Sequence, residues 1–137
     1  MTKSYGKGST KTEALRGISF DVLEGEFLGI MGVSGSGKTT LLNCIATMIK
    51  PSSGKIILHG KDISTFNGTQ LANYRGKEIG YLFQEFELLD NLTARENITL
   101  PLALHGITGE NAENNIQQIA AKLDITDVLD KFPSQMS

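Results

Sequence analysis

Gly32, Gly37, Lys38 and Thr39 stand at the fixed positions of a G-x-x-x-x-G-K-[ST] run, with Val33, Ser34, Gly35 and Ser36 between them. The chemistry these residue types can do together is to grip a polyphosphate. Glycines at 32, 35 and 37 let the backbone take conformations closed to residues with a Cβ, so successive N–H groups can turn inward around an anion. Lys38 adds a full positive charge near the β- and γ-phosphates. The Thr39 hydroxyl is a hard oxygen ligand suited to Mg²⁺, which keeps most of its waters. Thr40, next in sequence, joins the same binding set.

Such a loop works only if a strand feeds it and a helix leaves it. Phe27-Leu28-Gly29-Ile30-Met31 is a continuous apolar pentad, as a parallel strand covered on both faces requires. After the loop, Thr40, Leu41, Leu42, Cys44, Ile45, Ala46 and Met48 fall at helical spacing until Pro51-Ser52-Ser53-Gly54 interrupts them. That helix would contribute its unpaired first N–H groups and the positive end of its dipole. The plainer reading of a Gly/Ser-rich run is a flexible turn; the strand and helix around it favour nucleotide binding.

Composition sets wider bounds. At 137 residues, 14.8 kDa and 39% apolar content, the chain suits one globular domain. A net charge of −2 and a pI near 5.7 give no footprint for general nucleic-acid or membrane-surface binding. Lys3, Lys7, Lys11 and Arg16 read as a solvated edge, since no aromatics interleave them for base stacking. Cys44, alone in the chain, is a small core residue by its helical position. His59 and His105 lack companions at metal-ligand spacing. Nothing resembles a secretory leader or a membrane span, which makes the cytosol the default compartment.

The remaining segments read as a mixed fold. Ile18–Val22 alternates like a half-buried antiparallel strand, Lys55–His59 is a strand candidate between Gly54 and Gly60, and Ile79–Phe83 resembles a further buried strand. Thr69–Arg75 predicts a short helix. Beyond these, Thr93 and Glu96 have capping-box spacing, Pro101 should kink or end the helix they open, and Ile116, Ile119, Ala120 and Leu123 share a helical stripe.

Tyr5, Ala14-Leu15-Arg16-Gly17-Ile18-Ser19-Phe20, Gly25-Glu26, the phosphate loop with Thr40-Leu41-Leu42-Asn43, and Ile79-Gly80-Tyr81-Leu82-Phe83-Gln84 together resemble, in order and spacing, the ATP-binding subunit of an ATP-binding cassette (ABC) transporter. The run from Phe83-Gln84-Glu85-Phe86 through Leu92-Thr93-Ala94-Arg95-Glu96-Asn97-Ile98 to Leu100-Pro101-Leu102 is similar to the bacterial lipoprotein-release, macrolide-export and bacitracin-type resistance branch. The resemblance implies ATP and Mg²⁺ as cofactors and an α/β phosphate-loop NTPase core, here partial. An antiparallel β subdomain and the start of a helical subdomain accompany that core. Residues 1–137 would be one incomplete nucleotide-binding domain, with the β subdomain and core over about 1–90 and part of the helical subdomain over about 91–137.

By the same resemblance, Tyr5 stacks on adenine, and Gln84 reaches Mg²⁺ and positions the attacking water. Taken alone, Tyr5 also reads as a surface residue and Gln84 as a turn residue. The implied partners are a membrane permease, with the subunit peripheral to the membrane through it, and a second ATP-binding subunit in an ATP-dependent dimer. No nucleic-acid partner is implied. Pro133-Ser134-Gln135-Met136-Ser137 resembles the approach to the family signature, with Ser137 its first serine, and Met1–Tyr5 resembles sequence just after the family's first strand. On that reading the catalytic carboxylates lie beyond these residues, and this stretch binds nucleotide without turnover.

Two alternatives remain. A phosphate-loop small-molecule kinase would need an acceptor site and an Arg-rich lid, whereas arginine occurs only at 16, 75 and 95. A non-transport ABC ATPase of the chromosome-maintenance type should carry a long heptad insertion in place of the short, Pro-containing Ala94–His105 segment.

Overall fold

Backbone pairing, more than apolar content, decides which expected strands form. The structure, a computed structural model, describes residues 1–136, so the expected signature serine, Ser137, lies outside the described residues. The chain divides into two compact units, 1–80 and the part from Tyr81 onward.

In the first unit, β1 (Thr2–Tyr5) pairs antiparallel with β2 (Thr12–Arg16), Thr2 facing Arg16 and Tyr5 facing Thr12. The residues read as following a first strand are therefore themselves a strand. On its other side, Thr2 N–H donates to the Ser53 carbonyl at 2.9 Å and Ser52 N–H returns to the Thr2 carbonyl at 2.9 Å. Ile18 exchanges hydrogen bonds with Met1, its N–H donating at 2.9 Å and its carbonyl accepting from the terminal amino group at 2.8 Å. The pairing stops there, so the strand expected over Ile18–Val22 does not form.

The buried strands expected at Phe27–Met31 and Ile79–Phe83 are also absent. Phe27, Met31 and Leu82 are 98%, 95% and 97% exposed. A continuous apolar segment becomes a parallel strand only where neighbours take up its N–H and C=O groups and layers cover both faces. Among the described residues no strand lies beside either segment. From the pentad, Ile30 is drawn inward, against a core of Leu15, Leu41 and Cys44.

That core is built by α1 (Lys38–Ile45), which buries Leu41 and Cys44 against β2. Cys44 is fully buried, as its position suggested, and burial pushes its thiol pKa up. The helix stops in a Schellman arrangement, with Thr47 N–H donating to the Cys44 carbonyl at 3.1 Å and Met48 N–H to the Asn43 carbonyl at 2.9 Å. The strand expected over Lys55–His59 shrinks to β3 (Ile57–Leu58), paired with β4 (Lys61–Asp62). His59 is a turn residue: it and Gly60, at φ +47° and +74°, supply the two positive values that a two-residue turn of type I′ needs. α2 (Gly68–Glu78) outruns the expected Thr69–Arg75 helix, opened by a reciprocal Asn67–Gln70 capping box at 2.9 Å in each direction. From α2, Arg75 donates to the Thr47 carbonyl at 3.1 Å.

The second unit centres on α3 (Ala94–Leu104) and α4 (Gly109–Leu123). The Thr93–Glu96 capping box forms as the spacing predicts. Pro101 does not end α3, which runs on to Leu104: Ile98 and Leu102, on either side of the proline, pack against the Ile116, Ala120 and Leu129 core and hold the turn despite one lost hydrogen bond. The expected α4 stripe is narrower, since Ile116 and Ala120 are buried while Ile119 and Leu123 are exposed. Two first-turn donors of α3 are met by nearby carbonyls, Ala94 N–H by Lys131 and Arg95 N–H by Leu129, at 2.9 and 2.8 Å. The Arg95 guanidinium bridges Glu113 and, at 2.9 Å, Asp130.

Two predictions arise here. The Thr93 backbone N–H, then its hydroxyl, hold the Glu96 carboxyl below its usual value, and Gln117, then Arg95, do the same for Glu113. Groups with depressed folded pKa contribute stability that is complete above their ordinary value of 4.5 and lost as pH falls through the lower folded values. The midpoint of thermal helix loss, followed by circular dichroism, should therefore drop as pH is lowered below that value, and a flat profile would contradict the assignment. Asp124 ends α4 exposed and at φ +56°, a left-handed conformation that carries a steric cost and puts a carboxylate at the negative end of the dipole. Asp124→Gly should raise stability by about 1 kcal/mol in urea unfolding.

Candidate nucleotide-binding site

α2 and α3 open with side-chain caps, whereas α1 opens at Gly37, which has no side chain to give. The N–H groups of Lys38, Thr39 and Thr40 thus begin a helix with no intrahelical acceptor, the arrangement an anion completes. Gly37 sits at φ +92°, and a Cβ there would lie 2.5 Å from the Ala14 carbonyl oxygen and 3.3 Å from Leu15 Cδ2. The β1–β2 hairpin therefore walls the loop–helix junction, and only glycine fits.

Upstream, the loop closes on itself. Ser36 N–H donates to the Val33 carbonyl at 3.2 Å, and a Cβ on Gly32 would come within 2.7 Å of Ser36 Oγ. The Lys38 ammonium bridges the closed loop, donating to the carbonyls of Gly32 at 2.8 Å and Val33 at 2.9 Å and to Ser36 Oγ at 3.5 Å. This fixes one full positive charge over the same turn whose amides precede α1. Val33, Ser34, Gly35, Ser36 and Thr39 are exposed, and Gly37, Lys38 and Thr40 are half-buried. The chemistry of this donor set fits a polyphosphate: glycine-rich backbone amides, a helix N-terminus, one ammonium and no carboxylate among residues 32–40. Thr39 offers an exposed hydroxyl on the first turn of α1, which fits a hard cation bridging such a ligand.

Of the other expected site residues, Tyr5 ends β1 opposite Thr12, on the hairpin that contacts Gly37 through Ala14. It is 45% exposed, with Lys3 Nζ 5.1 Å from its ring centroid. Gln84 belongs to the other unit, exposed on irregular backbone. The structure thus gathers residues 32–40 and places Tyr5 on the adjoining hairpin. The Ala14–Leu15 wall was missed by reasoning from the loop alone. The signal that could have found it is the adjacent apolar pair Ala14-Leu15 in β2, flanked by polar residues on both sides.

A walled glycine junction, an uncapped helix and a lysine folded over the loop define the phosphate-loop class of nucleotide-binding domains. The chain belongs to the ABC transporter family, whose family model matches residues 15–137. It is 44% identical over 135 residues to the bacitracin export ATP-binding protein BceA of Halalkalibacterium halodurans, covering 98% of this chain and 53% of that protein. Against the ABC transporter ATP-binding protein YxdL of Bacillus subtilis it is 46% identical over its full length and covers 53% of the relative. The macrolide export ATP-binding/permease protein MacB of Brucella abortus matches at 37%, with 21% of that longer protein covered. Among solved structures it is similar, at 33% identity, to the ATP-binding cassette MJ0796. TM-scores are 0.87 for a dimeric post-hydrolysis state bound to ADP and Pi and 0.90 for a second dimeric structure, with 99% of this chain and 60% of that one covered. The expected cassette fold is met. The chain spans about half the length of the first of these relatives. Among the described residues no helix is long and apolar enough to cross a membrane.

Proposed function

We propose that this chain carries the phosphate-gripping part of the ATP-binding subunit of a bacterial exporter of the bacitracin and macrolide type. The observation that carries the reading is the Gly32–Thr40 arrangement, in which a helix with no side-chain cap and a loop-bound ammonium share one turn. Lys38 would hold the β- and γ-phosphates, Thr39 would ligate Mg²⁺, the loop amides would surround the β-phosphate, and Tyr5 would stack on adenine through its half-exposed ring. Gln84 would position water and Mg²⁺. None of the residues assigned to the site is a carboxylate that could orient water, so nucleotide binding without steady-state turnover is the expectation for this chain. Turnover would belong to the whole subunit, dimerised over ATP and coupled to a permease. A steady-state phosphate-release assay tests this: turnover by the purified chain that disappears in Lys38→Ala would overturn it.

The permease-facing surface would lie between Gln84 and His105. Phe86 is 90% exposed, and Leu88 and Leu89 are also exposed, which favours docking over packing inside the helical unit. In the full-length subunit, Phe86→Ala or Leu89→Ala should weaken permease association about tenfold or more, with ATP affinity unchanged. Co-purification and transport in reconstituted vesicles measure both. Normal association by folded variants would remove these positions from the interface.

A further inference from the structure

Below the C-terminal end of α1 lies a small cavity of about 30 Å³, lined by residues that include Cys44, Thr47, Ile56, Ile63 and Ser64. Thr47 stands out. It is 8% exposed, its Oγ1 has no hydrogen-bond partner among the described residues, and its φ is +59°, an outlier for a β-branched residue. Arg75 fixes its carbonyl from α2 at 3.1 Å, so the corner is pinned with the hydroxyl unmatched. An unmatched buried hydroxyl is costly, and buried waters are the usual remedy where a void has room for one, roughly 10–15 Å³ counted at water centres.

We propose that this cavity is a hydration site holding one or two ordered waters, with Thr47 Oγ1 as the principal partner. The volume admits that number, and Ser64 provides a second partner: its Oγ donates to Asp62 Oδ1, so its lone pairs stay available to accept from water. The Cys44 thiol, whose pKa burial pushes up, also lines the cavity as a weak donor. The water would satisfy the strained corner that terminates the helix of the phosphate loop, acting as part of the structure.

A crystal structure of the chain resolving ordered solvent tests this directly. The expected result is a density peak in the cavity within hydrogen-bond distance of Thr47 Oγ1. An empty cavity, or a Thr47 hydroxyl bonded to protein, would overturn the proposal. Thr47→Val supplies an independent sign test, because the two side chains share their branched shape and hence their backbone strain. If the hydroxyl is hydrated, the valine variant should lose the peak and melt a few degrees lower; if it is dry and unmatched, the variant should melt at the same temperature or higher, which overturns the proposal. Thr47→Ser, which keeps the hydroxyl, should keep the water, and its loss there would count against Thr47 as the partner.

Discussion

Lys38→Ala is expected to weaken ATP binding by about a hundredfold while leaving the fold nearly as stable as before. The ammonium makes two close bonds to loop carbonyls, and a polyphosphate would exchange these for contacts with an opposite full charge, a hydrogen bond to a charged group being worth about 1.5–3 kcal/mol. Losing about 3 kcal/mol is roughly two decades of affinity. Stability should move little because those carbonyls belong to an exposed loop that water can serve. Titration with a fluorescent ATP analogue, alongside urea unfolding, separates the two effects. Equal affinities in the two proteins would remove Lys38 from the site.

Gly37→Ala should damage both binding and stability. Its Cβ would sit 2.5 Å from the Ala14 carbonyl oxygen, a backbone atom within the β1–β2 hairpin that cannot rotate away, and φ +92° adds a conformational penalty. The junction must then either separate α1 from the hairpin, exposing Leu15 and Leu41, or untwist the loop; a loss of about 3 kcal/mol or more is expected. Gly35→Ala is the matched comparison. Its φ is +77°, but among the described residues nothing lies within 4 Å of the added Cβ, so only the conformational cost of about 1–2 kcal/mol applies. A Gly37 variant no less stable than the Gly35 variant would contradict the walled junction.

What was legible in the sequence was what short-range chemistry determines. The helix after the loop, the Thr93–Glu96 cap and the burial of Cys44 follow from residues within a few positions of one another and are found, although that helix stops at Ile45, short of the Pro51 where its apolar pattern ends. Strands are different, because a strand exists only with its neighbour. Phe27–Met31 and Ile79–Phe83 have the composition of buried strands, but no described strand lies beside them. Long-range contacts were likewise invisible: Ala14 against Gly37, Arg75 on Thr47, and the Leu129 and Lys131 carbonyls that meet the first turn of α3. Pro101 does not end its helix, since packing on both flanks holds the turn despite one missing hydrogen bond.

The most direct test of the nucleotide site is an equilibrium titration of this chain with ATP by calorimetry, with and without Mg²⁺ and after circular dichroism has confirmed its helix content. One saturable site per chain, tighter with Mg²⁺ and abolished in Gly37→Ala, is the predicted result. A folded chain that shows no saturable heat with ATP under either condition would contradict the assignment of residues 32–40 as a phosphate-gripping loop.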